Sequence, residues 1–180
     1  MKKHTVSWDD FQGLVSKICR DIAVSGWRPD YVVGITRGGL LPAVMISHYF
    51  DIPCNTLNIR LRDGAEGEES ESNLWMAEEA FGHPIYDPMC SGDGRKNILI
   101  VDDINDSGAT INWIMKDWPS GCFPDDPSWE EVWNDNVRFA VLFDNLDSKC
   151  NVPMDYVGTE VNKAEDDIWI DFPFEDWWSK

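Results

Sequence analysis

The sequence predicts an α/β fold in one domain: a mainly parallel, twisted sheet flanked by helices in a three-layer arrangement. Three observations carry this. Mostly apolar runs, Tyr31 to Ile35, Ile98 to Val101 and Val137 to Phe143, suit strands covered on both faces. Stretches with helical spacing alternate with them. A chain of 180 residues holds one such domain with a substantial core, and two only with difficulty.

Taken in order, Ser7-Trp8-Asp9-Asp10 opens a helix with an acid at its third position, and Phe11, Leu14, Val15, Ile18 and Ile22 follow on one face. Tyr31 to Ile35 is the first strand, Leu40 to Phe50 a helix and Asn55 to Arg60 the second strand, together a βαβ unit. Ile98 to Val101 is the third strand, followed by a helix from about Ala109 to Trp118, and Val137 to Phe143 is the fourth. Residues 61–96 are polar, Gly-rich and acidic with little core pattern, which reads as a flexible insert, either disordered or functional. Residues 119–136, rich in Pro, Asp and Trp, read as a further insertion.

Composition narrows the function. Fifteen basic against 33 acidic residues give a net charge of −18, which argues against a nucleic-acid or anionic-membrane surface. Five cysteines without CxxC spacing read as free thiols, and three isolated histidines offer no zinc pattern. No leader and no apolar run of membrane-spanning length is apparent, so a cytoplasmic location is expected. The motifs of P-loop hydrolases, dinucleotide enzymes and serine hydrolases are missing.

The chemistry concentrates where Ile98-Leu99-Ile100-Val101 runs into Asp102-Asp103 and then Asp106-Ser107-Gly108-Ala109-Thr110. A tight turn of small residues at a helix start offers backbone N–H groups and hydroxyls to a phosphate. Carboxylates in contact with that phosphate would repel it, so Asp102 and Asp103 are expected to face hydroxyl groups or a divalent cation. A phosphate beside a diol or Mg²⁺ describes a ribose phosphate. Thr36-Arg37-Gly38-Gly39, at the end of another strand, is by itself compatible with an ordinary turn. Beside the acidic run it reads as a diphosphate site, with close backbone approach at the glycines and a planar cation in Arg37. Ligands of parallel sheets gather at the carboxyl ends of strands, so both turns should face one cleft.

The run from Ile98 to Thr110 resembles the phosphoribosyl diphosphate (PRPP) signature of type I phosphoribosyltransferases. Val6 to Asp9, Val33 to Pro42 and Asp167 to Asp171 are similar to the bacterial xanthine-guanine branch of that family. The resemblance implies the family's fold with a C-terminal base-binding hood over 155–180, and transfer of phosphoribosyl from PRPP to xanthine, guanine or hypoxanthine. It implies PRPP contacts from Arg37, Gly38, Gly39, Asp102, Asp103, Asp106, Ser107, Gly108, Ala109 and Thr110, with Mg²⁺ at Asp103 and Asp102. Asp106 would be the catalytic acid beside the base, Trp169 its stacking platform, and Ile170 and Asp171 its edge contacts. A cis peptide before Arg37, closure of residues 61–96 as a lid, and a homodimer or homotetramer are implied as well.

Two departures stand out. The lid region is mostly carboxylate, and the lysine that purine enzymes present after the fourth strand is replaced by Asp144-Asn145-Leu146-Asp147-Ser148-Lys149. Lys149 or Asn145 is expected to take its role. A second reading is a PRPP- or nucleotide-binding regulator of the same fold with weak or no catalysis.

Overall fold

The computed structural model describes residues 2–59, 61, 73–82 and 94–179. In chain order these form β1 (Lys2–Thr5), α1 (Trp8–Ser25), β2 (Tyr31–Ile35), α2 (Leu40–Phe50), β3 (Cys54–Leu57) and α3 (Leu74–Phe81). There follow β4 (Ile98–Asn105), α4 (Ala109–Gly121), α5 (Ser128–Asn134), β5 (Val137–Asn145), β6 (Tyr156–Val161), β7 (Ile168–Asp171) and a short 3₁₀ turn at Trp177–Ser179. The main sheet has five strands in the order β3-β2-β4-β5-β6, all parallel, and β1 pairs with β7 in a separate two-stranded sheet.

Successive residues of each strand point to opposite faces, and both faces are covered. Val33, Ile35, Ile98, Ile100 and Phe139 pack under α3, α4 and α5. Val32, Leu99, Val101, Ala140 and Leu142 pack under α1 and α2. Helix α1 starts on a capping box in which the Asp10 N–H donates to Ser7 Oγ at 3.1 Å and the Ser7 N–H donates to Asp10 Oδ2 at 3.3 Å. It stops at Gly26, whose φ of 76° suits a residue without Cβ.

The structure departs from the sequence expectations where tertiary contacts override local pattern. Strand β4 runs four residues beyond Val101, because β5 lies alongside and pairs Asp102 with Val141 and Asn105 with Asp144. Strand β3 begins at Cys54 and ends at Leu57, set by its register on β2.

Part of the supposedly coreless 61–96 stretch is α3, which buries Met76, Ala77 and Ala80, whereas 62–72 and 83–93 lie outside the described residues together with the expected lid. The 119–136 segment also contributes to the core. Its helix α5 buries Trp129, Val132 and Trp133, and the Trp129 and Trp133 rings stack at 5.2 Å. Of the 155–180 stretch, Tyr156–Val161 is an edge strand of the main sheet, while β7 takes the N-terminal β1 as its partner.

Candidate functional site

At the point where the chain turns from β2 to β3 on one side of the sheet and to β4 on the other, the carboxyl ends of β2 and β4 lie next to each other. Such a switch point leaves a crevice above the sheet. A cleft of about 800 Å³ opens there, lined among others by Arg37, Gly38, Asp103, Thr110, Trp169 and Asp171. A smaller hollow of about 280 Å³ adjoins it and shares Arg37, Gly38, Asp103 and Thr110, adding Asp102 and the turn from Asp106 to Ala109. The two turns separated by some seventy positions in the sequence are thus brought together.

The Thr36–Arg37 peptide is cis, in agreement with the expectation from the resemblance. Gly38 and Gly39 are there for space. A Cβ on Gly38 would fall onto the Asp103 carboxylate, and one on Gly39 would meet the Val101 carbonyl and the Ile35 backbone. The Gly39 N–H donates to the Ile35 carbonyl at 2.9 Å, closing the turn.

Across the cleft, the Asp103 N–H donates to Asp102 Oδ1 and the Ile104 N–H to Asp103 Oδ1, each at 2.9 Å, which fixes both carboxyl groups at the end of β4. Burial pushes the Asp102 carboxyl well above the usual carboxylate range, and the neighbouring Asp103 charge adds to it. Burial also raises Asp103. Two desolvated acids side by side favour a proton or a cation, so the donor set fits a divalent ion completed by substrate oxygens and water. Among the described residues no third His, Cys, Asp or Glu joins such a group.

The Ser107 to Thr110 turn opens α4. Gly108 has φ 84°, and a Cβ there would strike the backbone of Cys150. The Ala109 N–H donates to Ser107 Oγ at 3.3 Å, and the loop after β5 is fastened to the turn by the Lys149 N–H donating to the Ser107 carbonyl at 3.0 Å. Gly108 is therefore a packing residue as well as a turn former.

On the far wall, β7 places Trp169 half exposed in the cleft. Asp171 is buried, with Oδ2 3.1 Å from Lys3 Nζ. Ile170 between them is buried, its side chain packed in the core. Lys3 lines the cleft as well, because β1 pairs it with Trp169; a polar tetrapeptide near the start of the chain gives no sign of this.

Asp106 is half exposed, and both its oxygens lie 2.9 Å from Lys163 Nζ, a second residue that the sequence did not single out. Lys149 is not brought to the cleft. Its ammonium pairs with Asp147 at 2.8 Å and is 80% exposed. Asn145 is buried and occupied, donating to the Asp106 carbonyl at 2.8 Å and accepting from the Lys163 N–H at 3.0 Å.

The phosphoribosyl transferase domain family matches residues 2–176. This chain belongs to that family. Among curated relatives of this phosphoribosyltransferase, the xanthine-guanine phosphoribosyltransferase of Cereibacter sphaeroides is 29% identical, covering 94% of this chain and 85% of the relative. That of Roseobacter denitrificans is 27% identical over similar shares, 94% and 84%. Among solved structures, a purine phosphoribosyltransferase from Pyrococcus horikoshii superposes with a TM-score of 0.64 at 23% identity, covering 98% of this chain and 96% of the other. The Helicobacter pylori xanthine-guanine-hypoxanthine phosphoribosyltransferase gives 0.64 at 18% identity, with the same coverage. These likenesses establish the parallel sheet flanked by helices as the phosphoribosyltransferase fold.

Proposed function

We propose that this phosphoribosyltransferase moves the 5-phosphoribosyl group from PRPP to a 6-oxopurine, releasing diphosphate and forming the nucleoside monophosphate in purine salvage. The observation that carries it is the meeting of the two turns, with Arg37 and the glycines on one side and the acid pair and small-residue turn on the other. The purine follows from the similarity to xanthine-guanine phosphoribosyltransferases.

In this reading the 107–110 turn holds the 5-phosphate with backbone N–H groups at the start of α4, where the helix dipole favours an anion. Arg37 and the backbone at Gly38 and Gly39 hold the diphosphate, and their donors stabilise its growing charge as the ribose–oxygen bond breaks. Mg²⁺, when bound by Asp103 and Asp102, supplies further charge compensation to the diphosphate. Those carboxylates also face the ribose hydroxyls and tolerate positive character on the sugar. Trp169 stacks on the base, Ile170 and Asp171 contact its edge, and Asp106 accepts its proton or hydrogen-bonds the ring. A net charge of −18 repels free PRPP, which makes binding dependent on the cation.

Cytoplasmic location and a homodimer or homotetramer belong to the same proposal. Exposed Trp8, Trp177 and Trp178 support the latter, and among the described residues no helix is long and apolar enough to cross a membrane.

Purified protein mixed with PRPP, Mg²⁺ and each common base, with diphosphate release followed, tests the reading. Release with xanthine, guanine or hypoxanthine is expected. PRPP binding without turnover on any base would instead indicate a regulator, and no affinity for PRPP would overturn the proposal entirely.

A further inference from the structure

Strand β1 supplies a cation to the far wall of the cleft. Parallel pairing sets Lys3 opposite Trp169 and Thr5 opposite Asp171, and alternation along β7 turns Trp169 and Asp171 to one face. Lys3 shares that face. His4 and Ile170 take the other, where the His4 ring meets Phe143 edge-on at 5.9 Å and Ile170 packs in the core. An indole, a carboxylate and an ammonium thus line the cleft together. The Lys3 side chain is 58% exposed, yet its ammonium lies 3.1 Å from an oxygen of Asp171, whose side chain is 6% exposed. The buried acid holds a long, flexible side chain against the wall of the cleft instead of leaving it to solvent.

We infer that Lys3 recognises the two-position oxygen of xanthine, an assignment that deepens the purine reading and rests on it. The ring nitrogen that takes the ribose must face the sugar between the two turns. The six-membered ring of a base stacked on Trp169 therefore extends away from the acid pair, and the edge that carries position two is left for Asp171 and Lys3. The candidate bases differ at that position: xanthine has an oxygen, guanine an amino group and hypoxanthine a hydrogen. An ammonium donates and cannot accept, so it bonds the oxygen and opposes the amino group. An ionised carboxylate only accepts, so Asp171 has the reverse preference. With Asp171 alone the wall would favour guanine, and Lys3 is what admits xanthine.

The test compares Lys3→Met with the parent protein on xanthine, guanine and hypoxanthine. In the variant, kcat/KM for xanthine is expected to fall about tenfold or more, the loss typical of a hydrogen bond from a charged donor. The value for hypoxanthine, which offers nothing at position two, falls far less, and guanine holds or improves. Calorimetric affinities for xanthosine, guanosine and inosine monophosphates should separate in the same order, and affinity for PRPP should hold. Where the Met variant does not fold, Lys3→Gln replaces it, with a smaller loss that still falls on xanthine first. Equal losses on all three bases would make Lys3 a structural partner of Asp171 and overturn the inference, as would an unchanged rate on xanthine. A parent protein that uses guanine and hypoxanthine but not xanthine would also overturn it while leaving the purine reading in place. One that neither turns over any of the three bases nor binds their monophosphates would remove the purine reading itself.

Discussion

Gly38 and Gly39 are adjacent, yet adding one methyl group to each should damage the protein in different ways. At Gly39 the new Cβ would lie 2.8 Å from Ile35 N and 2.9 Å from Ile35 O, and closer still to the Val101 carbonyl. All three atoms belong to the paired strands β2 and β4, which cannot retreat without losing ladder hydrogen bonds. Overpacking of this kind costs about 1–3 kcal/mol or more, and in a protein of this size each kcal/mol lowers the melting temperature by about 2–4 °C. Gly39→Ala should therefore melt roughly 2–12 °C lower, or more.

At Gly38 the Cβ would instead lie 2.6 Å from Asp103 Oδ1, with Oδ2 nearer. That is the free end of a side chain, and a rotation of roughly 1 Å or more relieves it while giving up the hydrogen bond from the Ile104 N–H. Breaking that bond costs about 0.5–1.5 kcal/mol, partly offset by exposing a carboxyl that burial disfavours. Gly38→Ala should thus keep a melting temperature within about 3 °C of the parent and lose most of its Mg²⁺-dependent affinity for PRPP. Differential scanning fluorimetry and calorimetry with PRPP and Mg²⁺ read the two effects. Equal destabilisation of both variants, or retained PRPP affinity in Gly38→Ala, would refute the distinction between backbone and side-chain obstruction.

Asp106→Asn should lower turnover by about a hundredfold or more, as loss of a general acid–base group does, with little change in PRPP affinity; unaltered turnover in steady-state kinetics would remove Asp106 from the chemistry. Trp169→Ala should weaken base binding by about 1–3 kcal/mol and leave PRPP binding intact, which initial rates at varied base concentration measure. Because burial raises both acid carboxyls, the folded protein free of ligand binds protons more tightly than the unfolded chain. Its stability relative to Asp102→Asn should therefore increase as pH falls towards the ordinary carboxylate value of 3.8. A difference between the two that is flat with pH in urea titrations would contradict this. Trp133→Ala should cost about 3–5 kcal/mol, seen as a lower urea midpoint, and near-parent stability would show α5 to be peripheral.

The residues that speak locally were legible in the sequence. Ile98 to Val101 suits a strand covered on both faces, Ser7 to Asp10 reads as a helix start, and paired acids running into Ser-Gly-Ala-Thr describe a sugar phosphate site. Helices α3 and α5 were hidden because both are short and lie in polar, Pro- or Gly-rich surroundings, and their helical state follows from burying Met76, Trp129 and Trp133 against the sheet. The β1–β7 pair was hidden for a different reason: neither strand has a pattern of its own, and each forms only because the other is beside it.

The same division runs through the site. Sequence alone determined the chemistry of the two turns, since a strand end followed by glycines, hydroxyls and acids carries its function in consecutive residues. Tertiary structure alone decided where the lysines lie. It turned Lys149 away to Asp147, drew Lys3 beside Trp169 and set Lys163 on Asp106. A long, flexible ammonium can reach many partners, and its position is fixed by what the fold brings within its reach.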